Sequence, residues 1–217
     1  ENNLPDEWAA ATGNQGEGVH PKGSFTLPDD EDEFPELVLL PPCRPATAIE
    51  GQELRCLKRM LLQEGVAQIP EEILAKKFGR LLLDAGALAG SLPVPSDDSH
   101  HRRRNYLVAI ASTKRERSDD GSEQRVHLTT YALVQHFALV FIEGKPRAYA
   151  FIERTVSAAD RDGKYGIPEQ RFGLDCFSGF GGRRRYVPVS AIQSVVGTIF
   201  SHERHFLLHV RVSFSGW

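Results

Sequence analysis

Apolar runs in the second half of the chain predict a β-rich domain. Residues 131–142 are nearly all apolar, a turn follows at 143–146, and residues 148–152 are apolar again. This pattern predicts an antiparallel hairpin with both faces partly buried. Residues 205–214 alternate between apolar and polar side chains, as in a strand with one buried face. Further short strands are predicted at 106–111, 186–189 and 194–200. Several short strands with irregular connections favour a small barrel or sandwich.

Helical spacing of apolar residues is found before residue 104. Four leucines at this spacing predict a first helix: Leu54, Leu57, Leu61 and Leu62. Thr47, followed three residues later by Glu50, has the form of a capping box for that helix. A second short helix is predicted at about 70–78, with Pro70 at its first position. The polar residues 113–125 predict a flexible connection.

Charge is distributed unevenly along the chain. The first 36 residues carry ten acidic side chains and one basic side chain, Lys22, so their net charge is −9, whereas the whole chain carries −3. The remainder therefore carries +6. The first part also has few apolar residues and cannot bury enough surface to offset chain entropy. These features predict a disordered acidic tail over residues 1–37, in which the acidic run 29–33 is either a solvated linker or an interaction tail.

These patterns together predict a mixed α+β chain in three parts. The acidic tail precedes a small helical segment over residues 38–103 and a mainly antiparallel, barrel-like β-domain over residues 104–217. The length of 217 residues suits one to two domains. Because the chain begins at Glu1 and not at Met, we expect a fragment or a processed piece. No apolar run approaches the roughly 20 residues that span a bilayer, so no membrane partner is expected.

Cysteine and histidine spacings do not predict a metal site. The three cysteines lie far apart in sequence, which excludes a CxxC-type zinc site and a disulfide framework and suits a reducing compartment. On a helix, His205 and His209 would share a face and could bind one ion together with His202. The alternation predicts a strand instead, on which residues four apart are separated by roughly 13 Å. We therefore expect neither a metal nor another cofactor.

Catalytic motifs are not evident in the sequence. Ser, His and Asp residues are present, but there is no GxSxG elbow and no spacing that singles out a triad. Cys176 is predicted to be a small core residue. An alternative hypothesis is a metal-independent hydrolase or transferase whose site lies in a loop from Asp175 to Arg185. Glycines in that loop precede three arginines, but no Lys-Ser/Thr pair follows them as in a phosphate-binding P-loop. We expect a protein that is not an enzyme.

Basic clusters beyond the acidic tail are the strongest candidates for a binding function. Eight residues are predicted to contact nucleic acid: Arg102, Arg103, Arg104, Lys114, Arg115, Arg183, Arg184 and Arg185. Another basic group lies on the first predicted helix: Arg55, Lys58 and Arg59. If two or more clusters converge on one face, they form a nucleic-acid footprint. If they are scattered, they are ordinary solubility charges.

Aromatic residues supply a second candidate binding device. A protein that reads chromatin would be expected to use an aromatic pocket. Four residues are candidates for such a pocket: Tyr131, Phe137, Tyr149 and Tyr186. For each of them, packing in the core is the alternative role.

A succession of short motifs between residues 38 and 210 resembles a known family. Residues 39–90 contain Leu-Leu-Pro-Pro-Cys-Arg-Pro, Gln-Glu-Leu, Ile-Pro-Glu and Lys-Phe-Gly-Arg-Leu, and residues 102–108 read Arg-Arg-Arg-Asn-Tyr-Leu-Val. Aromatic-rich strands over 131–152, Phe-Gly-Leu and Tyr-Val-Pro-Val follow. This succession resembles the region after the catalytic core of large fungal DNA-transposon proteins of the CACTA-like and Kyakuja-Dileera-Zisupton kind. The family often has an Asp near the positions of Val189 and Gln193, which this chain lacks.

The resemblance implies an accessory module and not the nuclease. The second half of the chain is also similar to a bromo-adjacent-homology (BAH) module, a chromatin-reading β-barrel related in shape to SH3 domains. By implication the protein is a non-catalytic, transposon-derived nuclear module that binds DNA, chromatin or a partner subunit, with the nuclease outside the chain. A protein–protein scaffold is a further alternative, which an exposed apolar patch of several hundred Å² would favour.

Overall fold

A computed structural model describes eight segments of the chain: residues 21–27, 37–83, 87–91, 106–117, 123–156, 169–171, 174–201 and 204–208. For residues 114–117, 123–125, 169–171, 200 and 208 only the backbone is described. One α-helix, α1 (Gly51–Gln63), lies within these segments. The strands are β1 (Phe25–Thr26), β2 (Val38–Cys43), β3 (Thr47–Ala48), β4 (Leu74–Leu82), β5 (Leu88–Gly90), β6 (Leu107–Arg117), β7 (Glu123–Ile142), β8 (Lys145–Val156), β9 (Glu169–Arg171), β10 (Leu174–Phe177), β11 (Gly179–Pro188), β12 (Ile192–Val195), β13 (Gly197–Ser201) and β14 (Arg204–Leu208).

Antiparallel strands make up most of the described structure, and they form two sheets. The larger sheet has ten strands, with β6 and β4 on one side of the long strand β7 and β8 followed by β11 on its other side. The smaller sheet has the order β13-β14-β10-β9. The larger sheet is not closed into a barrel, so the prediction of a barrel-like domain holds only for its antiparallel β character.

The hairpin of β7 and β8 is confirmed and forms the centre of the fold. Its turn consists of Glu143 and Gly144, which both have positive φ angles, 54° and 72°. Two successive positive φ angles match the twist of a two-residue hairpin turn to that of the strands. The pairs run from Ile142 opposite Lys145 to Ala132 opposite Arg154. This hairpin therefore fixes the register on which the other strands build.

Three clusters of buried side chains cover the two faces of the larger sheet. One face carries a core to which strands from both ends of the sheet contribute, including Phe25 of β1 and Ile192 of β12. On the opposite face, α1 covers the region around Tyr149. The smaller sheet covers the region around Tyr131 on that same side, through Phe177. The structure is thus layered, with helix and small sheet side by side on the large sheet.

Helix α1 confirms the first predicted helix, but it begins at Gly51, later than the predicted capping residue Thr47 would place it. Thr47 lies in β3, and the residue before the helix is Glu50, whose φ of −129° and ψ of 168° are extended. The helix ends near Gly65, which has a φ of 77°, the left-handed conformation that glycine adopts at low cost. Leu57 and Leu61 are fully buried against the sheet. The leucine spacing therefore identified the buried face for Leu57 and Leu61, with Leu54 partly buried, whereas Leu62 is 66% exposed.

The second predicted helix, at 70–78, is wrong. Strand β4 occupies most of this segment and pairs with β2, β3, β5 and β7. Phe78 lies opposite Phe137 of β7 and is buried on the core face. A short segment with mixed spacing takes its structure from its neighbours, because pairing in a sheet and burial outweigh weak local preference.

The predicted flexible connection at 113–125 is also wrong for most of its length. Strands β6 and β7 pair without interruption from Leu107 opposite Leu133 to Arg117 opposite Glu123. The charged residues 114–117 of β6 pair with residues 123–126 of β7, at the end of this two-stranded ribbon that lies farthest from β8. Strand β11 includes residues 186–188 of the strand predicted at 186–189, and Val189 begins a short 3-10 helix. The single strand predicted at 194–200 is divided between β12 and β13, which belong to different sheets. The alternating strand predicted at 205–214 is present as β14 up to Leu208, and its remainder lies outside the described residues.

Part of the predicted acidic tail belongs to the fold. Phe25 in β1 pairs with Leu39 of β2 and is only 6% exposed in the core. The prediction that residues 1–36 lie outside the core is therefore wrong for 21–27, because one apolar residue in a polar segment was enough to anchor a short edge strand. The rest of the predicted tail, apart from Leu37, lies outside the described residues. Among the described residues, no helix is long and apolar enough to cross a membrane.

Candidate nucleic-acid interface

Helix α1 and the edge strand β11 bring two of the basic groups together. The thiol of Cys56 on the helix donates a hydrogen bond to the backbone carbonyl of Arg184, with a sulfur–oxygen distance of 3.4 Å. Arg55 directly precedes Cys56, and Arg59 follows it by three residues, about one helical turn. Both arginines are exposed. Arg184 and its neighbour Arg183 are exposed on β11. We call the exposed surface of these two neighbouring elements, with Arg55, Arg59, Arg183 and Arg184, the α1–β11 face.

A cluster around Glu53 fixes the N-terminal half of α1 on the sheet. Oε1 of Glu53 accepts a hydrogen bond from the hydroxyl of Tyr186 at 2.5 Å and lies 3.0 Å from Nε2 of His136. Nζ of Lys77 lies 2.9 Å from the same oxygen. Because a carboxylate only accepts hydrogen bonds, His136 is assigned as a donor here. Three different strands, β4, β7 and β11, therefore hold one helical carboxylate.

The protonation states of this cluster suit docking of the helix and not acid–base chemistry. Burial would raise the pKa of Glu53, but hydrogen bonds from His136, Tyr186 and Lys77 outweigh it and lower the pKa from 4.5 to about 2. Burial and the Glu53 charge raise the pKa of the Tyr186 hydroxyl above its usual range. A general acid or base needs a pKa near the working pH. Glu53 stays ionised and Tyr186 stays protonated at neutral pH.

A second carboxylate fixes the other end of the helix. The hydroxyl of Tyr149 donates to Oε2 of Glu64 at 2.5 Å, and a terminal nitrogen of Arg147 donates to the same oxygen at 3.0 Å. Tyr149 and Tyr186 pack edge to face, with ring centroids 6.2 Å apart. Because carboxylate–tyrosine contacts hold both ends of α1, its arginines are presented from a fixed position beside β11.

A bulge in β11 sends the three successive arginines in different directions. Phe180 lies opposite Thr155 and Arg184 opposite Glu153, so three residues of β11 face the single residue Arg154. Nε of Arg184 donates to Glu153 at 3.0 Å on the α1 side of the sheet. Arg185 lies opposite Ile152 and therefore points to the core side. Only two of the three arginines contribute to the α1–β11 face, which the sequence run did not show.

Local charge on these elements is opposite in sign to that of the whole chain. Helix α1 with Glu64, strand β8 and strand β11 contain nine basic and three acidic residues, which gives +6, against −3 for the whole chain. The basic residues are Arg55, Lys58, Arg59, Lys145, Arg147, Arg154, Arg183, Arg184 and Arg185, and the acidic residues are Glu53, Glu64 and Glu153. Arg154 and Arg185 lie on the face away from α1, opposite Ala132 and Ile152, so the remaining seven basic and three acidic residues give +4. Such an excess of one sign attracts polyanions.

Of the remaining predicted contact residues, those on β6 are not brought to this face. Lys114 and Arg115 lie on the ribbon formed by β6 and β7, opposite Val126 and Arg125, on the far side of β7 from β8. Three further predicted contact residues lie outside the described part of the chain: Arg102, Arg103 and Arg104. The structure therefore unites the β11 arginines with the helix group and leaves the ribbon cluster apart.

The four candidates for an aromatic pocket do not form one. Each is buried in the core, with no more than 2% of its surface exposed. Phe137 lies in the core on one face of the sheet, Tyr131 beneath the smaller sheet, and Tyr149 with Tyr186 beneath α1. Core packing, the alternative role considered for each, describes these positions.

The segment predicted as a loop from Asp175 to Arg185 is made of strand β10, Ser178 and strand β11. The carboxylate of Asp175 accepts a hydrogen bond from the Tyr131 hydroxyl at 2.7 Å. Cys176 is fully buried, which confirms it as a core residue. Phe177 stacks on His205 of β14, with ring centroids 4.9 Å apart. Of the groups in this segment that the alternative hypothesis considers, the Asp175 carboxylate is thus bound by the Tyr131 hydroxyl and the Cys176 thiol is buried.

Metal ligands do not cluster in the part of the chain that is described. There, no three His, Cys, Asp or Glu side chains lie close enough together to hold an ion. His205 is on a strand, as predicted, while His202 and His209 lie outside that part.

Comparison with known proteins identifies no relative of this chain. No family model matches the sequence, and no curated protein or solved structure is significantly similar to it.

Two glycines are required by the bulge that positions Arg183. Gly181 has a φ of 120°, and a Cβ added to Gly182 would lie 2.5 Å from the carbonyl oxygen of Arg154. Gly182→Ala should therefore lower the free energy of unfolding by about 1–3 kcal/mol, measured by urea denaturation. Gly179→Ala is the matched control, because a Cβ there meets nothing within 4 Å. Equal stability of the two variants would show that the bulge tolerates a side chain.

Proposed function

We propose that the protein is a non-catalytic module that binds DNA through its phosphates, using the α1–β11 face. The observation that carries this proposal is the contact between Cys56 and Arg184, which joins the helix that bears Arg55 and Arg59 to the strand that bears the β11 arginines. In keeping with the resemblance to fungal transposon proteins, we further propose a transposon-derived protein that acts in the nucleus.

The chemistry of the α1–β11 face supports phosphate contacts. Arginine presents a planar set of donors that matches phosphate oxygens. Duplex DNA carries one charge per roughly 1.7 Å of axis, so a few exposed arginines on a rigid surface meet several phosphates. Contacts of this kind position a protein on DNA without reading its sequence. We therefore propose binding that depends weakly on sequence.

DNA is favoured over the other partners named by the resemblance. Recognition of a methylated histone side chain requires an accessible aromatic cage, whereas Tyr149 and Tyr186 are buried beneath α1. Exposed large apolar side chains in the described part lie on four separate elements: Leu62, Leu174, Phe180 and Ile199. Single apolar residues of this kind are normal on a protein surface and do not favour a scaffold.

Binding to two unrelated DNA duplexes tests the proposal. Fluorescence anisotropy at about 0.15 M salt should give dissociation constants in the range of about 1–100 μM, similar for both sequences and lower at low salt. An unlabelled duplex of a third sequence should displace either probe equally. A protein that binds neither duplex at low salt would contradict the proposal and leave a protein partner as the next candidate.

A further inference from the structure

One exposed aromatic side chain, Phe180, lies on the same face of β11 as Arg184. Phe180 is opposite Thr155 of β8, and Arg184 is opposite Glu153. These two β8 residues are two apart, as are Glu153 and Phe151, so all of them share the side of the sheet on which Phe151 packs beneath α1. A rise of about 3.4 Å per residue places the Cα atoms of Phe180 and Arg184 roughly 7 Å apart. The ring and the guanidinium group are therefore neighbours on one face of the strand.

Two aromatic neighbours hold the Phe180 ring in place. Phe177 of β10 and His205 of β14 stack in parallel, with ring centroids 4.9 Å apart and an interplanar angle of 7°. The Phe180 ring lies against both, with centroid distances of 4.9 Å to Phe177 and 5.0 Å to His205. Phe177 is fully buried, whereas Phe180 is 37% exposed. The ring is thus ordered by the interior and accessible to a ligand, so binding costs it little conformational entropy.

Along β11, no side chain separates Phe180 from the arginines that follow it. Gly181 and Gly182 are the intervening residues, and a Cβ added to Gly181 would meet nothing within 4 Å. Arg183 and Arg184 come next, and both are exposed. The Nε atom of Arg184 donates to a carboxylate at 3.0 Å, which orients the guanidinium group, yet 51% of the side chain remains exposed. Aromatic surface and positive charge thus adjoin across an open stretch of backbone.

An exposed aromatic ring beside arginines has the chemistry that binds an unpaired nucleotide. Every base has a flat π surface that can stack on an aromatic ring, and the phosphate of the same nucleotide is attracted to guanidinium groups. In a duplex the bases are stacked on one another, so only an unpaired base presents its surface to the ring. A methylated lysine also binds aromatic rings, but the adjoining arginines would repel its charge. The combination therefore favours single-stranded nucleic acid.

We propose that Phe180 stacks on an unpaired base of single-stranded DNA while Arg183 and Arg184 contact the phosphates beside it. This inference rests on the proposed DNA binding at the α1–β11 face and adds the form of DNA that the face prefers. Stacking of one base contributes on the order of tenfold in affinity and tolerates any base, in keeping with weak dependence on sequence. Phosphate contacts alone would favour the duplex, because its charge density is higher. Preference for a single strand therefore has to come from the ring.

Three DNA ligands test the stacking with the full chain. The first is a labelled thymidine strand of about 15 nucleotides. The second is a strand of the same length that keeps the phosphates and sugars but has no bases, and the third is a duplex of the same length. At about 0.1 M salt, fluorescence anisotropy should show that the native protein binds the thymidine strand on the order of tenfold more tightly than the abasic strand.

Substitutions of Phe180 assign this difference to its ring. Phe180→Leu keeps an apolar side chain against Phe177 and His205 but removes the π surface. It should weaken binding to the thymidine strand by on the order of tenfold and leave binding to the abasic strand and the duplex within about twofold. Phe180→Trp should bind the thymidine strand at least as tightly as the native protein does. The fluorescence of the added indole should be quenched by the thymidine strand and not by the abasic strand.

Ile199→Ala is the control for loss of exposed apolar surface. Ile199 is 52% exposed on β13 and lies opposite Phe206, so it is on the other face of the smaller sheet from His205. This variant should bind all three ligands as the native protein does.

Failure of the stacking and failure of DNA binding give different results. Equal affinity of the native protein for the thymidine and abasic strands overturns the stacking, and so does a preference for thymidine that Phe180→Leu retains. If the duplex is still bound in these cases, the proposed function stands. Absence of binding to all three ligands overturns both proposals. Should Phe180→Leu not fold, unquenched fluorescence of Phe180→Trp with the thymidine strand bound overturns the stacking, and quenching supports it.

Discussion

Replacing Arg55, Arg59 and Arg183 together by glutamine should weaken binding to duplex DNA by on the order of 10²-fold at about 0.1 M salt. Each of these side chains is exposed on the α1–β11 face. Each phosphate that a cation neutralises releases counterions, and this release supplies most of the affinity of non-specific binding. Loss of three contacts should therefore remove most of the measurable affinity. Fluorescence anisotropy with a labelled duplex measures the effect.

A second triple variant separates position from net charge. Lys22, Arg44 and Arg80 are also exposed, but they lie on or beside β1, β2 and β4, on the other side of β7 from β8 and β11. Their replacement by glutamine changes the net charge by the same amount. We expect this variant to bind DNA within about threefold of the native protein. Similar losses in both triple variants would show that binding follows overall charge and not the α1–β11 face.

Acidification should destabilise the fold through Glu53. Because the folded pKa of about 2 lies below the ordinary value of 4.5, ionised Glu53 contributes stability above pH 4.5. That contribution is lost as the pH falls from 4.5 towards 2. The shift would correspond to roughly 3 kcal/mol without screening, and solvent at this half-buried site reduces it to about 1–2 kcal/mol.

Glu53→Gln should remove this contribution at every pH. The variant should be about 1–2 kcal/mol less stable than the native protein at pH 7, and the difference should shrink towards pH 2. Urea denaturation at pH 7, 4.5 and 2.5 measures the stability difference between the two proteins and its dependence on pH. Glu71→Gln, at an exposed position between α1 and β4, is the control and should follow the native curve. A stability difference for Glu53→Gln that stayed constant with pH would contradict the role given to the ionised carboxylate.

The sequence pattern correctly predicted the two elements whose structure is determined by residues close together in sequence, the β7–β8 hairpin and helix α1. The apolar runs on either side of Glu143 and Gly144 gave the central hairpin, and the leucine spacing gave α1, because period and turn chemistry are visible locally. Strand β4 was missed since its stability comes from four partner strands. The ribbon of β6 and β7 was missed because charged residues normally indicate loops, yet a paired strand can carry them outside the core.

The candidate site could be predicted only as an inventory of residues. The basic groups were visible, but the hydrogen bond that joins two of them links residues 128 positions apart. The run Arg183 to Arg185 suggested a single cluster, whereas the register of β11 divides it between two faces. The preceding glycines were the available signal, since paired glycines in a strand indicate a bulge. Glu53 gave no local signal because its three partners come from distant strands.

The salt dependence of DNA binding by the native protein and the two triple variants tests the central proposal most directly. In a plot of log Kd against log salt concentration, each neutralised phosphate contributes a slope of about 0.9. Replacement of Arg55, Arg59 and Arg183 should lower the native slope by roughly 3, and replacement of Lys22, Arg44 and Arg80 should leave it unchanged. Equal slopes for all three proteins would contradict phosphate binding at the α1–β11 face.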